Sequence, residues 1–472
     1  MPLIVPTALS LESKASYLRT LPSIRERCSR VFELAKQGTL EYFDYHPDKE
    51  IDVTDFCLGI IKASFELFRF IANSSANRRI TPWRIKAEFS TTQIPPHGRW
   101  RHFDLGRNRV EPLLSKWTDV TPKEASKRLI DLFVVSVLLD AGAGKDWAYH
   151  EKDSGGKYSR SEGLAICSIH MFEDGLFSGV SDQSFRVDAA GLSKITVDAV
   201  AQHMQVSDSN PLVGLEGRTS LLRNLSDALR ASPELFGNDG RPGNMLGKSF
   251  PNAEKSSTHS FVDYLERESK TEGSTQLVPL AALWHVLIDG LNPIWPASRT
   301  KLAGVSLGDV WPCTALKAQS ELDVEGEDLI PFHKLTQWMT YSLVEAITHT
   351  MKWKFVGMED MTGLPEYRNG GLLLDLGVLT LKPNVLPIDA KSGLPKASSS
   401  DPAIVEWRAL TVIMLDRIAD SIRTKLQLSP EQLNLAQVLE SATWKGGREI
   451  AKQKRPETGG PPLELESDGT VF

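Results

Sequence analysis

The sequence predicts a mainly α protein, multi-helical with few short strands. Apolar residues recur at spacings of three and four over most of the chain, cap and proline signals precede the strongest runs, and strand signals are few. In chain order, residues 11–37 read as one helix and 53–72 as a second. Residues 122–140 follow Thr121-Pro122, a capping residue and a proline at the first helical position, where a missing N–H costs nothing. Helical periodicity continues over 160–173, 188–204 and the Leu- and Arg-rich 214–231, and 277–290 is strongly apolar. PFHKLTQW at 331–338 opens a helix running to 346. The clearest helix is 402–425, started by Asp401-Pro402, where Trp407, Leu410, Met414, Ile418 and Ile422 form one apolar stripe. GLLLDLGVLTLKP at 371–383 is the best strand signal, and reads also as a short helix followed by a strand. Gly, Pro and Ser mark loops at 236–258, 391–400 and 455–463, and no internal repeat is visible.

Bulk properties narrow the function classes. The chain has 472 residues, 41% hydrophobic and 24% charged, as in an ordinary globular protein. A net charge of -6 and a pI near 6.0 give no electrostatic footprint for nucleic-acid backbones. No apolar run approaches the roughly 20 residues that span a bilayer. The N-terminus, MPLIVPTALSLESK, lacks a basic n-region and makes a poor signal peptide. Cys28, Cys57, Cys167 and Cys313 are scattered, with no CxxC pair, and read as free thiols. The expectation is a cytoplasmic protein, so the glycosylation patterns at Asn73 and Asn224 are taken as chance.

Several motifs carry chemistry on one reading and plain structure on another. LPEYRNGGLLLDLGVL at 364–379 sets Glu366 beside Tyr367 and Arg368, ahead of Asn369-Gly370-Gly371, which reads as a turn allowing positive φ. On the residues alone, an exposed turn with two solvated charges is the simpler account. In PFHKLTQW, Lys334 and Trp338 stand at i and i+4 and Gln337 at i+3, so the three can share a face. A lysine this early in a helix meets an unfavourable dipole, which pairing with Glu366 would offset. The plain alternative is a surface lysine lying over Trp338.

LLDAGAGKDWAY at 138–149 is a poor phosphate loop, because Asp146 follows Lys145 where Ser or Thr is needed. Asp140 ends an apolar helix, where a carboxylate is poorly placed in the dipole and needs partners. It holds substrate hydroxyls, orients Lys145, or belongs to a helix-end turn with Gly142 and Gly144. Tyr158 and Arg160 stand at the start of the 160–173 helix, a place suited to a phosphate or a ribose, or to an ordinary cap by Ser159 or Ser161. His102 and Asp104 have no G-x-S-x-G or Cys–His partner to complete a triad, and the ten histidines show no metal-binding spacing.

Two resemblances bear on these readings. The run from Leu138 through Leu192 resembles the uracil-catabolism family of fungi and bacteria, and the likeness extends through essentially the whole chain. That family belongs to the ring-opening route, so the resemblance implies a later step in which a ribosylurea-type intermediate gives up urea. A more distant likeness is to the queuosine-salvage nucleoside 5′-phosphate N-glycosidases, helical proteins related in fold to DNA glycosylases. Their F-Y-K-x-x-Q helix is similar to Phe332 through Gln337, and their A-D-Y-R-V-P-Q-x-L-x-x-L-G-x-L run to Pro365 through Leu379. Their V-E-I-R helix start resembles Val405-Glu406-Trp407-Arg408, and their L-D-x-L-N-F segment the region of Asp140. Carried over, the catalytic pair is Lys334 and Glu366. Glu366 stands where that family has aspartate, Asn369-Gly370-Gly371 replaces V-P-Q, and glycines replace the early N-F. A pocket that loses bulk in this way takes a different leaving group, and urea fits.

The resemblances thus imply a DNA-glycosylase-like helical core over 121–472 with a helical region at 1–120, or one continuous domain. They imply hydrolysis of the N-ribosyl bond of ribosylurea or its 5′-phosphate. Glu366 would be the catalytic carboxylate, and Lys334 would keep it ionised or protonate the departing nitrogen. Asp140 would bind ribose hydroxyls. Tyr158, Arg160 and Arg368 are candidates for the phosphate or the urea carbonyl, and Trp147 and Trp338 for pocket walls. His333, Gln337 and Tyr367 complete the candidate substrate contacts, with Glu406 and Arg408 as support. No metal or organic cofactor is implied; the expected partner is a small ribosyl compound, not nucleic acid or membrane. An amidohydrolase acting on the ureido group and a non-catalytic pathway partner are the alternatives.

Overall fold

The computed structural model describes residues 10–73, 91, 94–140, 142–247, 264–319 and 324–466, the side chains of 64–73 excepted. The protein is mainly α, and every described strand is five residues or shorter. Three helix pairings frame the molecule. Lys334–Met351 packs along Pro122–Leu138, Pro402–Leu426 along Leu21–Gln37, and Tyr367–Asp375 against Trp444–Lys454. The stripe expected on Pro402–Leu426 is in the core: Trp407, Leu410, Met414, Ile418 and Ile422 are all buried. Each such side chain removed from water contributes about 1.5–3 kcal/mol. One buried apolar cluster draws residues from Leu21 to Leu463. A small satellite gathers Ala15, Leu18, Leu302, Leu307, Val310 and Leu329.

Local chemistry explains where helices start and stop. Thr121 caps Pro122–Leu138 by accepting the Glu124 amide at 3.2 Å, as its sequence promised. The single helix expected over 11–37 is instead two, Leu11–Leu18 and Leu21–Gln37. Pro22 is the reason: it has no N–H to give, and its ring would strike the carbonyl of Leu18 in a continuous helix. The helix expected over 188–204 is also two, Ala189–Leu192 and Val197–His203. Asp188 and Thr196 each cap a fresh N-terminus, offering the backbone an alternative to continuation. The apolar run 277–290 divides at Pro279: Thr275–Pro279 is a strand parallel to Lys354–Val356, and Leu280–Ile288 is the helix. Over 371–383 the second reading holds, a helix Tyr367–Asp375 followed by a strand Leu379–Leu381 paired antiparallel with Phe43–Tyr45.

All four cysteines are buried free thiols. Burial pushes the Cys57 thiol up to about 12, which removes it from redox chemistry at neutral pH. Among the described residues no helix is long and apolar enough to cross a membrane. The Asn224 amide is held on the Ile294 carbonyl at 3.2 Å. The signal-peptide reading of residues 1–9, the glycosylation pattern beyond Asn73 and the loop residues 248–258 lie outside the described residues.

Candidate active site

A cavity of about 940 Å³ opens where the Lys334–Met351, Arg160–Glu173, Tyr367–Asp375 and Trp444–Lys454 helices converge. Lys334 is the first residue of its helix, behind His333, which adopts a left-handed conformation (φ 48°) as N-cap. The Lys334 amide donates to Asp309 Oδ2 at 2.9 Å. Asp309 is itself pinned by the Arg408 guanidinium at 2.9 and 2.8 Å and by the Trp311 indole at 2.6 Å. Burial alone would raise the Asp309 carboxyl, but Arg408 and these donors hold it well below the usual range. The Lys334 ammonium makes no hydrogen bond or ion pair within 4.0 Å to a described residue. Burial lowers its pKa, while the charges of Asp140 and Glu366 oppose that loss.

Glu366 is not on a turn. It is the N-cap of Tyr367–Asp375, its carboxylate accepting the Arg368 and Asn369 amides at 2.7 Å each. Asn369-Gly370-Gly371, expected as a turn with positive φ, lies within that helix. The glycines serve close packing: a Cβ on Gly370 would stand 2.5 Å from the Trp407 ring, and one on Gly371 3.0 Å from Pro462. Burial raises the Glu366 pKa, and the two amides and Lys334 counter it. Two amides at a helix N-terminus favour its charged form, although burial still leaves its pKa above the ordinary carboxylate value.

Asp140 sits just past the end of Pro122–Leu138. Its partner is Arg99, at 2.8 Å, rather than Lys145. Burial would raise the Asp140 carboxyl, but Arg99, His102 and Lys334 bring it below its ordinary value. Asp140 lines the cavity, and its Oδ1 is a buried acceptor close to the Ser161 hydroxyl. Three guanidiniums stand farther along the wall. Arg160 donates to the Thr458 carbonyl at 2.9 Å, Arg368 to the Gly459 carbonyl at 2.8 Å, and Arg448 pairs with Glu162. Desolvation together with the neighbouring Arg368 and Arg448 charges lowers the pKa of Arg160.

Asp140, Arg160, Lys334, Trp338, Glu366, Tyr367 and Arg368 are therefore brought together on one cavity. Four other candidates are placed elsewhere. Trp147 is fully buried with its indole N–H on the Met204 carbonyl at 2.9 Å. Tyr158 lies under the Arg109 guanidinium, 5.0 Å from its ring centre. His333 Nε2 is 2.8 Å from the Leu18 carbonyl, and Gln337 is bound to Phe332 and Thr362. Lys334 and Trp338 share a face as expected, whereas Gln337 turns into the core.

Sequence reasoning missed Trp444 and Arg448, and missed His97 and Arg99; His102 was weighed only as part of a triad with Asp104. Asp104 faces away, onto the Trp100 indole and the Arg109 and Val110 amides. His97 precedes the short Arg99–Phe103 helix and His102 lies within it, so no periodicity links them. Among the described residues no group of three or more His, Cys, Asp or Glu is placed to hold a metal ion.

Comparison with known proteins places the chain in a family. The family model described as "Protein of unknown function (DUF1688)" matches residues 17–78 and 80–472. "Uracil catabolism protein 4" of Lachancea kluyveri is 39% identical over 480 aligned residues, covering 98% of this chain and all of that protein. "Protein urg3" of Schizosaccharomyces pombe is 39% identical over 469 residues, again covering 98% of this chain and all of that protein.

Proposed function

The chain belongs to the DUF1688 family, and from that membership we propose that it acts in uracil catabolism as a hydrolase of the N-ribosyl bond of ribosylurea or its 5′-phosphate, releasing urea. The pathway rests on the name of the 39% identical Lachancea kluyveri relative. The reaction rests on one observation: Lys334 and Glu366 approach the same cavity from two helix N-termini, with the Asp140 carboxylate on the same wall.

The chemistry follows from charge. As the C1′–N bond breaks, positive charge builds on the anomeric carbon and ring oxygen of the sugar. Glu366, whose charged form the two amides and Lys334 favour against burial, supplies the compensating negative charge. Water delivers its oxygen to C1′, and a proton ends on the departing nitrogen, so the products are ribose or ribose 5-phosphate and urea. Lys334, its pKa lowered by burial, is the proton donor nearest in kind to this task. The Asp140 carboxylate accepts from ribose hydroxyls, and Arg160 and Arg368 receive the phosphate where one is present.

The test is urea release by purified protein from ribosylurea and from ribosylurea 5′-phosphate, with Glu366→Gln alongside. Urea from the wild type and not from the variant supports the reading and selects the substrate. Ammonia in place of urea would make the protein an amidohydrolase. An intact substrate in both cases would leave it a binding partner in the same pathway.

A further inference from the structure

The end of the cavity beyond Lys334 is built from four rings. His97 lies 4.7 Å from Trp338 and 5.4 Å from Trp444 between ring centres; His102 lies 5.5 and 5.6 Å from the same two indoles. Both imidazoles are thus clamped between the two tryptophans, and all four side chains line the cavity. Each histidine has one ring nitrogen committed. His97 Nδ1 is 2.6 Å from Glu440 Oε2, and His102 Nδ1 is 3.0 Å from Arg99 Nη1.

These partners impose opposite tautomers. A guanidinium only donates, so His102 Nδ1 accepts and its proton resides on Nε2. Glu440 is a carboxylate held ionised next to the histidine, despite the opposing effect of its burial, and only accepts. His97 therefore donates through Nδ1, and in the neutral ring its Nε2 presents a lone pair. Among the described residues neither Nε2 has a hydrogen-bond partner, and both rings line the cavity. With the His97 ring neutral, one wall thus offers a donor next to an acceptor.

We propose that this pair is a recognition subsite for a planar amide or ureido group, His102 Nε2–H donating to its carbonyl oxygen and His97 Nε2 accepting from its N–H. An ester, an ether or a fully alkylated urea presents no N–H and leaves the acceptor of His97 unanswered. The proposal rests on the N-ribosyl hydrolase reading in one respect, that it makes this group the leaving group. Burial and the neighbouring Arg99 charge lower the His102 pKa to about 4, in keeping with a ring that stays a neutral donor at working pH.

Two measurements test it separately from the hydrolase reading. The first is saturation-transfer NMR of methylurea and of tetramethylurea with the wild type, His97→Leu, His102→Leu and His102→Gln. Methylurea should give a signal with the wild type that both leucine variants lose. Tetramethylurea should give none, and His102→Gln, which keeps a donor, should restore part of the methylurea signal. The second is the ratio of kcat/KM for ribosylurea to that for 4-nitrophenyl riboside, whose leaving group needs no amide contacts. That ratio should fall about 100-fold or more in the leucine variants, since a site built to hydrogen-bond its substrate discriminates strongly. Binding of both ureas alike, or an unchanged ratio with normal circular dichroism, would overturn the subsite. If neither riboside is cleaved while methylurea binding still depends on both histidines, the hydrolase reading falls and the subsite stands.

Discussion

At the scale of single residues, Glu366 joins two tasks that mutation can separate. As an N-cap its carboxylate answers the Arg368 and Asn369 amides. Glu366→Gln keeps one good acceptor, so it should cost about 1 kcal/mol in denaturant unfolding. As a catalytic carboxylate its loss should lower kcat about 10²–10⁴-fold; a drop in stability with unchanged kcat would leave it a cap and nothing more. His102 makes a second prediction. Burial and Arg99 depress its folded pKa to about 4, below the ordinary value of 6.5. The unfolded chain therefore takes up a proton that the fold refuses between pH 6.5 and 4, and stability falls as pH falls through that window. The contribution reaches about 3 kcal/mol at its acid end. In NMR the ring should stay neutral with its proton on Nε2 from pH 8 to 5, and His102→Gln should flatten the pH dependence of the denaturant midpoint.

At the scale of elements, the site depends on how two helix N-termini are held. The Lys334 helix starts on Asp309, whose charge is answered by Arg408 inside the core. Asp309→Asn leaves that guanidinium buried without its carboxylate, which should cost about 3–5 kcal/mol in urea unfolding. The Glu366 helix is seated against Trp444–Lys454 at a contact too close for any side chain. A Cβ on Gly447 would stand 2.1 Å from the Arg368 carbonyl oxygen, which is backbone and cannot swing aside. Gly447→Ala should therefore cost about 1–3 kcal/mol and also lower kcat, because the helix that shifts is the one Glu366 caps. Activity retained at full with the melting temperature lowered would uncouple this seat from the site.

At the scale of the whole molecule, residues before and after position 121 share one buried cluster and one cavity. Leu21–Gln37 covers Pro402–Leu426, and His97 and His102 complete a wall begun by Lys334 and Trp338. The regions 1–120 and 121–472 should accordingly unfold in a single calorimetric transition, and a chain starting at residue 121 should bind no ribosylurea. Ligand linkage gives a further check. With Glu366→Gln, expected to bind without turnover, ribosylurea at 100 times its Kd should stabilise the fold by about 2.7 kcal/mol. An unmoved melting temperature at saturating concentrations of both ribosylurea and its 5′-phosphate would show that neither is bound.

The chain by itself determined the helical class, because the periodicity of Trp407 through Ile422 and the Thr121-Pro122 start are local signals that tertiary packing does not reverse. It also singled out Lys334, Glu366 and Asp140, through short motifs whose order along the chain resembles that of known N-glycosidases. It misjudged Asn369-Gly370-Gly371, since glycine marks equally a left-handed turn and a close approach such as that of Trp407, and only the packing partner tells them apart. Trp147, Tyr158, His333 and Gln337 shared motifs with cavity residues yet face other neighbours, because adjacency along a chain does not fix the direction of a side chain. The His97, His102, Trp338 and Trp444 cluster was decided by tertiary structure alone: its members come from three separate stretches of the chain, and the donors and acceptors that set their tautomers, Arg99 and Glu440, are 341 residues apart.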